Sequence, residues 1–257
     1  MATIELKISE QIATFTFNRP EVLNALNIET LRVFYKLLQE TTPRRDVSVL
    51  ILTGAGEKAF IAGADINEMQ SLTPIEASRF AGIGQEILFQ LEHASQVTIA
   101  AVNGFALGGG CEVAMGCDLI YAAEKAKFGQ PEVSLGVIPG FGGTQRLLRL
   151  IGPMKTRELI YTGATIDASQ ALQLGLVAQI FPSDQLMNQV LGIAKTIIGK
   201  GPEAIRRAKN CLRDGMDIDL IRACAIEREQ FALCFSHPDQ KEGMTAFLEK
   251  RKPVWKE

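Results

Sequence analysis

Residues 97–123 read VTIAAVNGFALGGGCEVAMGCDLIYAA, and this stretch decides the fold class. Val97 to Val102 is a nearly unbroken apolar run, the pattern of a strand buried on both faces. Gly108-Gly109-Gly110 then opens a short helical segment, and Asp118 to Ala122 begins the next strand. Strand, glycine-rich turn, helix, strand is the order that parallel pairing requires, because parallel neighbours need a crossover.

The same order extends outward. Ile4, Leu6 and Ile8 alternate with polar residues and are followed by Ile12, Phe15 and Phe17, which predicts a hairpin ended by Asn18-Arg19-Pro20. Leu31, Phe34, Leu37 and Leu38 stand at helical spacing in residues 28–40, and Val47 to Leu52 reads as another buried strand. Thr73-Pro74-Ile75-Glu76 sets a cap residue, a proline at the first helical position and a Glu three residues after the cap, so a helix should run from there to about His93. Strands and helices alternate to about residue 181. After Pro182 the chain turns helical, with segments near 183–199, 202–214, 217–234 and 238–250. The expected architecture is α/β, with an α/β core over residues 1–199 and a helical region over residues 200–257.

Composition narrows the function. The 257 residues carry 27 Lys+Arg against 29 Asp+Glu, a net charge of −2, without the basic patch of a nucleic-acid binder. No apolar run reaches the roughly 18 residues of a membrane helix, and the opening MATIELKISEQ lacks a basic flank followed by an apolar stretch. A cytoplasmic protein with no nucleic-acid or membrane partner is expected. Cys111, Cys117, Cys211, Cys224 and Cys234 are odd in number and scattered, which fits buried free thiols rather than disulfides or zinc. No metal site is expected.

The chemistry concentrates at three glycine-rich places: Ala62-Gly63-Ala64-Asp65, Asn103 to Glu112, and Pro139-Gly140-Phe141-Gly142-Gly143-Thr144. Glycines after a buried strand let the backbone approach a ligand, and a helix starting there aims free N–H groups at it, the outline of an oxyanion site. None has the order of a phosphate loop or of a dinucleotide fingerprint. Glu112 stands beside these glycines and Glu132 follows Gly129-Gln130-Pro131, each in an apolar setting where a carboxylate is expensive to bury without a purpose. A carboxylate pair beside oxyanion donors can move protons while the N–H groups hold charge on a carbonyl oxygen, which implies an enolate. His93 and His237 sit at helix ends and make poor bases, and no Gly-x-Ser-x-Gly elbow is present.

Taken together, these segments resemble the crotonase (enoyl-CoA hydratase/isomerase) superfamily. The likeness rests on Asn18-Arg19-Pro20 with Asn24-Ala25-Leu26, Ala59-Phe60 with Ala62-Gly63-Ala64-Asp65-Ile66, Gly108 to Glu112, and Pro131-Glu132 with Leu135-Gly136. It continues through Pro139-Gly140, Gly142 to Leu147, Glu242-Gly243 and Phe247 to Arg251. The resemblance implies a spiral of ββα units over residues 1–199 and a helical trimerisation region over 200–257. It implies oxyanion donors at the backbone N–H groups of Ala64 and Gly109, and a water held by Glu112 and Glu132 for addition across a 2,3 double bond. It also implies CoA contacts along Ala25, Ala62, Ala64, Asp65, Ile66 and Gly109, with Lys250 reaching the nucleotide portion. Asn67 stands where many relatives carry Lys, so one charge contact to CoA is missing. The implied activity is 2-enoyl-CoA hydration by a trimer or a dimer of trimers, with an acyl-CoA as substrate and no separate cofactor. An enoyl-CoA isomerase, another crotonase-type reaction, or a non-catalytic acyl-CoA-binding oligomer are the alternatives. Phe231, Leu233, Phe235, Phe247 and Trp255 are the apolar residues available to core or interface in the C-terminal region.

Overall fold

A computed structural model describes residues 2–255; residue 1 and residues 256–257, the outer ends of the two expected regions, lie outside the described residues. The predicted hairpin is β1 (Ile4–Ser9) against β2 (Ile12–Phe17), in register from Ile4 opposite Phe17 to Ser9 opposite Ile12. Its two-residue turn places Glu10 and Gln11 at φ 51° and 63°. That double left-handed geometry matches the twist of the flanking strands, and neither residue is the glycine or asparagine that usually announces it.

Helix α1 (Ile28–Thr41) follows, capped by the Asn27 side chain on the Thr30 N–H at 2.8 Å, and then β3 (Val49–Gly54) and the short β4 (Ala59–Ile61). A single turn, α2 (Ile66–Met69), leads to α3 (Pro74–His93), whose Thr73–Glu76 capping box is present as the sequence predicts. The pattern then repeats: β5 (Val97–Val102), β6 (Phe105–Leu107) and α4 (Gly109–Met115); then β7 (Leu119–Ala123), β8 (Lys127–Gly129), a 3-10 turn at Pro131–Leu135, and α5 (Gly143–Ile151). Next come α6 (Pro153–Thr162), β9 (Thr165–Asp167), α7 (Ala168–Gln173), β10 (Gln179–Phe181) and α8 (Leu186–Ile198). The chain closes with α9 (Pro202–Gly215), α10 (Leu220–Cys234) and α11 (Pro238–Leu248).

The strands divide between two sheets. One has the order β1-β2-β3-β5-β7-β10, parallel except for the hairpin, and the other has the order β4-β6-β8-β9. Each ββα unit therefore gives its long strand to the first sheet and its three-residue strand to the second. Alternation within the long strands explains the continuous apolar runs. Leu50, Leu52, Ala100, Val102, Ile120 and Ala122 enter the larger core shared with α1, α3 and α4, while Val49, Ile51, Ile99, Ala101 and Tyr121 enter a second core against Leu186, Val190 and Ala194 of α8. In the larger core Phe34 packs edge-on against Phe15 and Phe17, with ring centroids 5.9 and 5.0 Å apart. Burying each such ring contributes about 1.5–3 kcal/mol.

Helix α9 is pinned to the sheet by Lys209, whose buried ammonium donates to Leu91 O, Gln96 O and Asp118 Oδ2 at 3.3, 2.8 and 2.7 Å. Helix α10 buries none of its residues, and Phe231, Leu233, Phe235 and Phe247 are exposed by 65, 44, 47 and 83%. These four are surface rather than core. Trp255 differs from them: its indole lies against Gly201 and Gly243, and its Nε1 donates to Gly199 O at 3.1 Å. The cysteines correct an expectation, because only Cys111 is fully buried and Cys224 is exposed. No helix of the described residues is long and apolar enough to cross a membrane.

Candidate active site

Three neighbouring strand ends build the site. In the second sheet β4, β6 and β8 run parallel, with Ile61 beside Ala106 and Leu107 beside Gly129. The segments leaving them, Ala62 to Asp65, Gly108-Gly109 and Gln130-Pro131-Glu132, therefore emerge side by side. Gly63 at φ 99° and Gly108 at φ 50° turn the first two, in conformations that a side chain would strain. Their backbones abut, since a Cβ on Gly108 would lie 3.7 Å from Gly63 Cα.

The next residue in each turn is a predicted oxyanion donor. Neither the Ala64 nor the Gly109 N–H has a hydrogen-bond acceptor among the described residues. Gly109 begins α4, where the first N–H groups have no partner within the helix. Ala64 is held by a bridge to Leu26, in which Leu26 N donates to Gly63 O at 2.9 Å and Asp65 N to Leu26 O at 2.8 Å. Arg19 fastens that bridge by donating to Ala25 O at 2.6 Å and pairing with Asp65 at 3.2 Å. This is the structural work of the Asn18-Arg19-Pro20 motif.

Glu112 lies one turn into α4 and is 1% exposed. Its Oε1 accepts from the N–H groups of Phe141 and Gly143 at 2.8 and 2.6 Å, so the third glycine-rich segment is its cradle. The second carboxylate oxygen has no hydrogen bond among the described residues. Burial pushes the carboxyl up to about 7; the Gly143 N–H opposes this, the charge on Glu132 adds to it, and the Phe141 N–H and Arg146 oppose it.

Glu132 stands over the Gly108 turn, where a Cβ on Gly108 would meet its Oε1 at 2.7 Å. Its carboxyl is also pushed up to about 7 by burial, against the pull of its own backbone N–H. Two acids near neutrality, one over the free N–H groups and the other a helical turn away, can share one proton and hold a small polar molecule between them.

The remaining expected residues divide. Ala25, Ala62, Asp65 and Ile66 form one continuous wall through the Arg19 and Leu26 contacts, with Ile66 55% exposed at its rim. Lys250 stands apart, exposed just beyond α11 at φ 56°, and no hydrogen bond or ion pair joins it to that wall among the described residues. His93 Nδ1 faces Phe89 O, and His237 caps α11, so neither joins the carboxylates. Among the described residues no group of three or more His, Cys, Asp or Glu could hold a metal ion. A cavity of about 830 Å³ opens elsewhere, between Thr42–Ser48, the ends of α8 and α9, and Trp255; His237 lines it, but neither carboxylate nor any of the expected CoA-contact residues does.

Sequence reasoning missed two supports. Arg146 donates to Phe141 O at 2.8 Å and pairs with Glu92 at 2.6 Å, fixing the loop that cradles Glu112. Its partner is 54 positions away, so no local pattern announces it. Gln130 is fully buried beside both carboxylates, and its only local signal is a polar residue inside an apolar stretch.

Residues 7–257 match the sequence model of the enoyl-CoA hydratase/isomerase family. The chain is 49% identical over 249 residues to the crotonyl-CoA hydratase of Syntrophomonas wolfei, covering 97% of this chain and 96% of that protein. It is 48% identical to the short-chain-enoyl-CoA hydratase of Clostridium acetobutylicum, covering 94% and 93%. Its fold superposes on the crystal structure of an enoyl-CoA hydratase from Bacillus anthracis with a TM-score of 0.96, at 37% identity and with 99% of both chains covered.

Proposed function

The chain belongs to the enoyl-CoA hydratase/isomerase family, and from that premise we propose that it adds water reversibly across the 2,3 double bond of a short-chain 2-trans-enoyl-CoA, giving the 3-hydroxyacyl-CoA. The observation that carries this reading is the pair of carboxyls near neutrality, Glu112 and Glu132, beside two unpaired N–H groups.

The thioester carbonyl oxygen accepts from Ala64 N–H and Gly109 N–H, which polarises the conjugated system and makes C3 electrophilic. A water between the carboxylates attacks C3 while the ionised Glu112 removes its proton. The resulting enolate is held by the two N–H groups, and protonated Glu132 delivers a proton to C2. Both water hydrogens and its oxygen are then accounted for once Glu112 returns its proton to the pair. Removing one such oxyanion donor typically lowers kcat by about 10²–10³.

Ala25, Ala62, Asp65 and Ile66 are assigned to the thioester and pantetheine end of CoA, and Lys250 to its nucleotide end. CoA enters as part of the substrate, so the reaction needs no further cofactor. The exposed apolar residues of α10 and α11 support self-association as a trimer or a dimer of trimers, which sedimentation would register as three or six times 28.0 kDa. Five free cysteines suit a reducing, cytoplasmic setting.

Crotonyl-CoA hydration, followed as loss of the conjugated enoyl-thioester absorbance, tests the reading. Wild-type turnover should fall about 10²–10⁴-fold in Glu112→Gln and in Glu132→Gln, the usual range for removing a positioned acid or base. Full activity in either variant would overturn that residue's role. Binding of the thioester without turnover would favour an isomerase or a binding protein, which a 3-enoyl thioester separates.

A further inference from the structure

We propose that the chain carries a second binding site, for a small organic phosphate of nucleotide size, in the cavity between residues 42–48, the junction of α8 with α9, and Trp255. The proposal stands on this cavity and does not depend on the hydratase reading.

The cavity lies at the end of the first sheet opposite the one from which the chain passes on to the Gly63 and Gly108 turns. Gln11 stands just before β2, residues 42–48 lead into β3, and Ser95 comes shortly before β5, so one wall is made where these strands begin. The six residues of β3 alone span roughly 20 Å. At about 830 Å³ the space is within the usual range of small-molecule sites.

The lining is rich in donors and short of acceptors. Arg44, Arg45, Lys200 and Arg206 face Glu203 as the one acid among them. Arg44 already holds Asp46 at 3.0 and 2.6 Å, and Arg206 pairs at 2.6 Å with Glu203, which Arg207 holds as well. The side chains of Arg45 and Lys200 have no hydrogen bond or ion pair among the described residues, and the Thr42 and Ser95 hydroxyls have none either. The loop that presents Arg45 is fixed in advance, because the buried Gln96 amide donates to Thr42 O and Arg44 O, both at 3.1 Å. On the other side Lys200 precedes α9, whose first N–H groups receive no side-chain cap and add to the positive potential. Ile197, Ile198, Ile205 and Trp255 supply an apolar wall. The indole Nε1 is taken by Gly199 O at 3.1 Å, so Trp255 offers the cavity a ring rather than a donor. Two unneutralised cations beside an aromatic and apolar wall fit a molecule with a phosphate at one end and an organic body at the other. The Arg45 fork and the Lys200 ammonium take the phosphate oxygens, and the body covers the wall. A bare inorganic anion would leave that wall wet, and a neutral molecule would leave the cations unmatched.

Trp255 is the only tryptophan of the chain, so intrinsic fluorescence reads this cavity directly. The full chain is titrated at low ionic strength with ATP, inorganic pyrophosphate and adenosine, with calorimetry in parallel. ATP should change the emission saturably with a midpoint below about 1 mM. Pyrophosphate should bind several-fold more weakly, and adenosine, which has no charge for the cations, should be weaker than ATP by about tenfold or more. Arg45→Gln/Lys200→Gln changes two exposed residues; it should raise the ATP midpoint by about tenfold or more while the urea midpoint and crotonyl-CoA turnover stay at wild-type values. Lys250→Gln, at the residue assigned to the nucleotide end of CoA, should leave the ATP midpoint where it is. Absence of binding by both fluorescence and calorimetry overturns the proposal. So does ATP binding that survives Arg45→Gln/Lys200→Gln and is lost in Lys250→Gln, because the nucleotide then sits on the CoA path. Equal midpoints for ATP and pyrophosphate would overturn the assignment of the apolar wall to an organic body.

Discussion

Glu112→Gln separates the function of the buried carboxyl from its burden on the fold. In the native protein this acid is pushed from its ordinary 4.5 up to about 7, with desolvation the main cause. The native state thus holds a proton that the unfolded chain has released throughout the window between those values, so stability must fall as pH rises through it. At about 1.4 kcal/mol per pH unit, the full penalty for ionising Glu112 is roughly 3 kcal/mol above pH 7, and about 1 kcal/mol remains at pH 5.5. A glutamine keeps a carbonyl oxygen for the Phe141 and Gly143 N–H groups and has nothing to ionise. Urea unfolding at fixed protein concentration should therefore show the variant gaining about 2 kcal/mol on wild type between pH 5.5 and 8.5, while hydration activity collapses. A stability difference that stays constant across that range would refute the claim that Glu112 titrates near neutrality in the fold.

Other substitutions probe the frame. Gly108→Ala would set a methyl 2.7 Å from Glu132 Oε1 at a backbone φ of 50°, and kcat for crotonyl-CoA should drop well beyond any change in Tm. Gly110→Ala drives its Cβ into the Ile61 carbonyl oxygen and should destabilise by about 3 kcal/mol or more, or abolish soluble expression. Gly82→Ala, with nothing within 4 Å on the exposed side of α3, should instead raise stability by about 0.5–1 kcal/mol in the same denaturation assay. Lys209→Met strips Asp118 of its buried cation and should destabilise by about 3–5 kcal/mol at pH 7; recovery of wild-type stability in that variant would show that the ion pair does not tie α9 to the sheet.

Much of this protein was determined by the sequence itself, because the signals are local. Apolar runs such as Val97 to Val102, the Thr73 cap and the glycines after strands act over a few residues, and the long strands with helices α1, α3 and α8 to α11 appear where they direct, whereas α5 and α6 had no such local reading. The two buried carboxylates were also legible, since an acid in an apolar stretch is costly wherever it ends up. Three-residue strands carry too little periodicity to be read, and without β4, β6 and β8 the second sheet and the spiral are invisible except through family resemblance. Tertiary structure alone decided the rest. Parallel pairing brings the exits of β4, β6 and β8 together, setting Gly63 beside Gly108 and Glu132 over Gly108. Arg19, Arg146 and Gln130 gain their meaning from partners that the fold delivers, because a hydrogen bond is specified by where two groups meet in space and not by their distance along the chain.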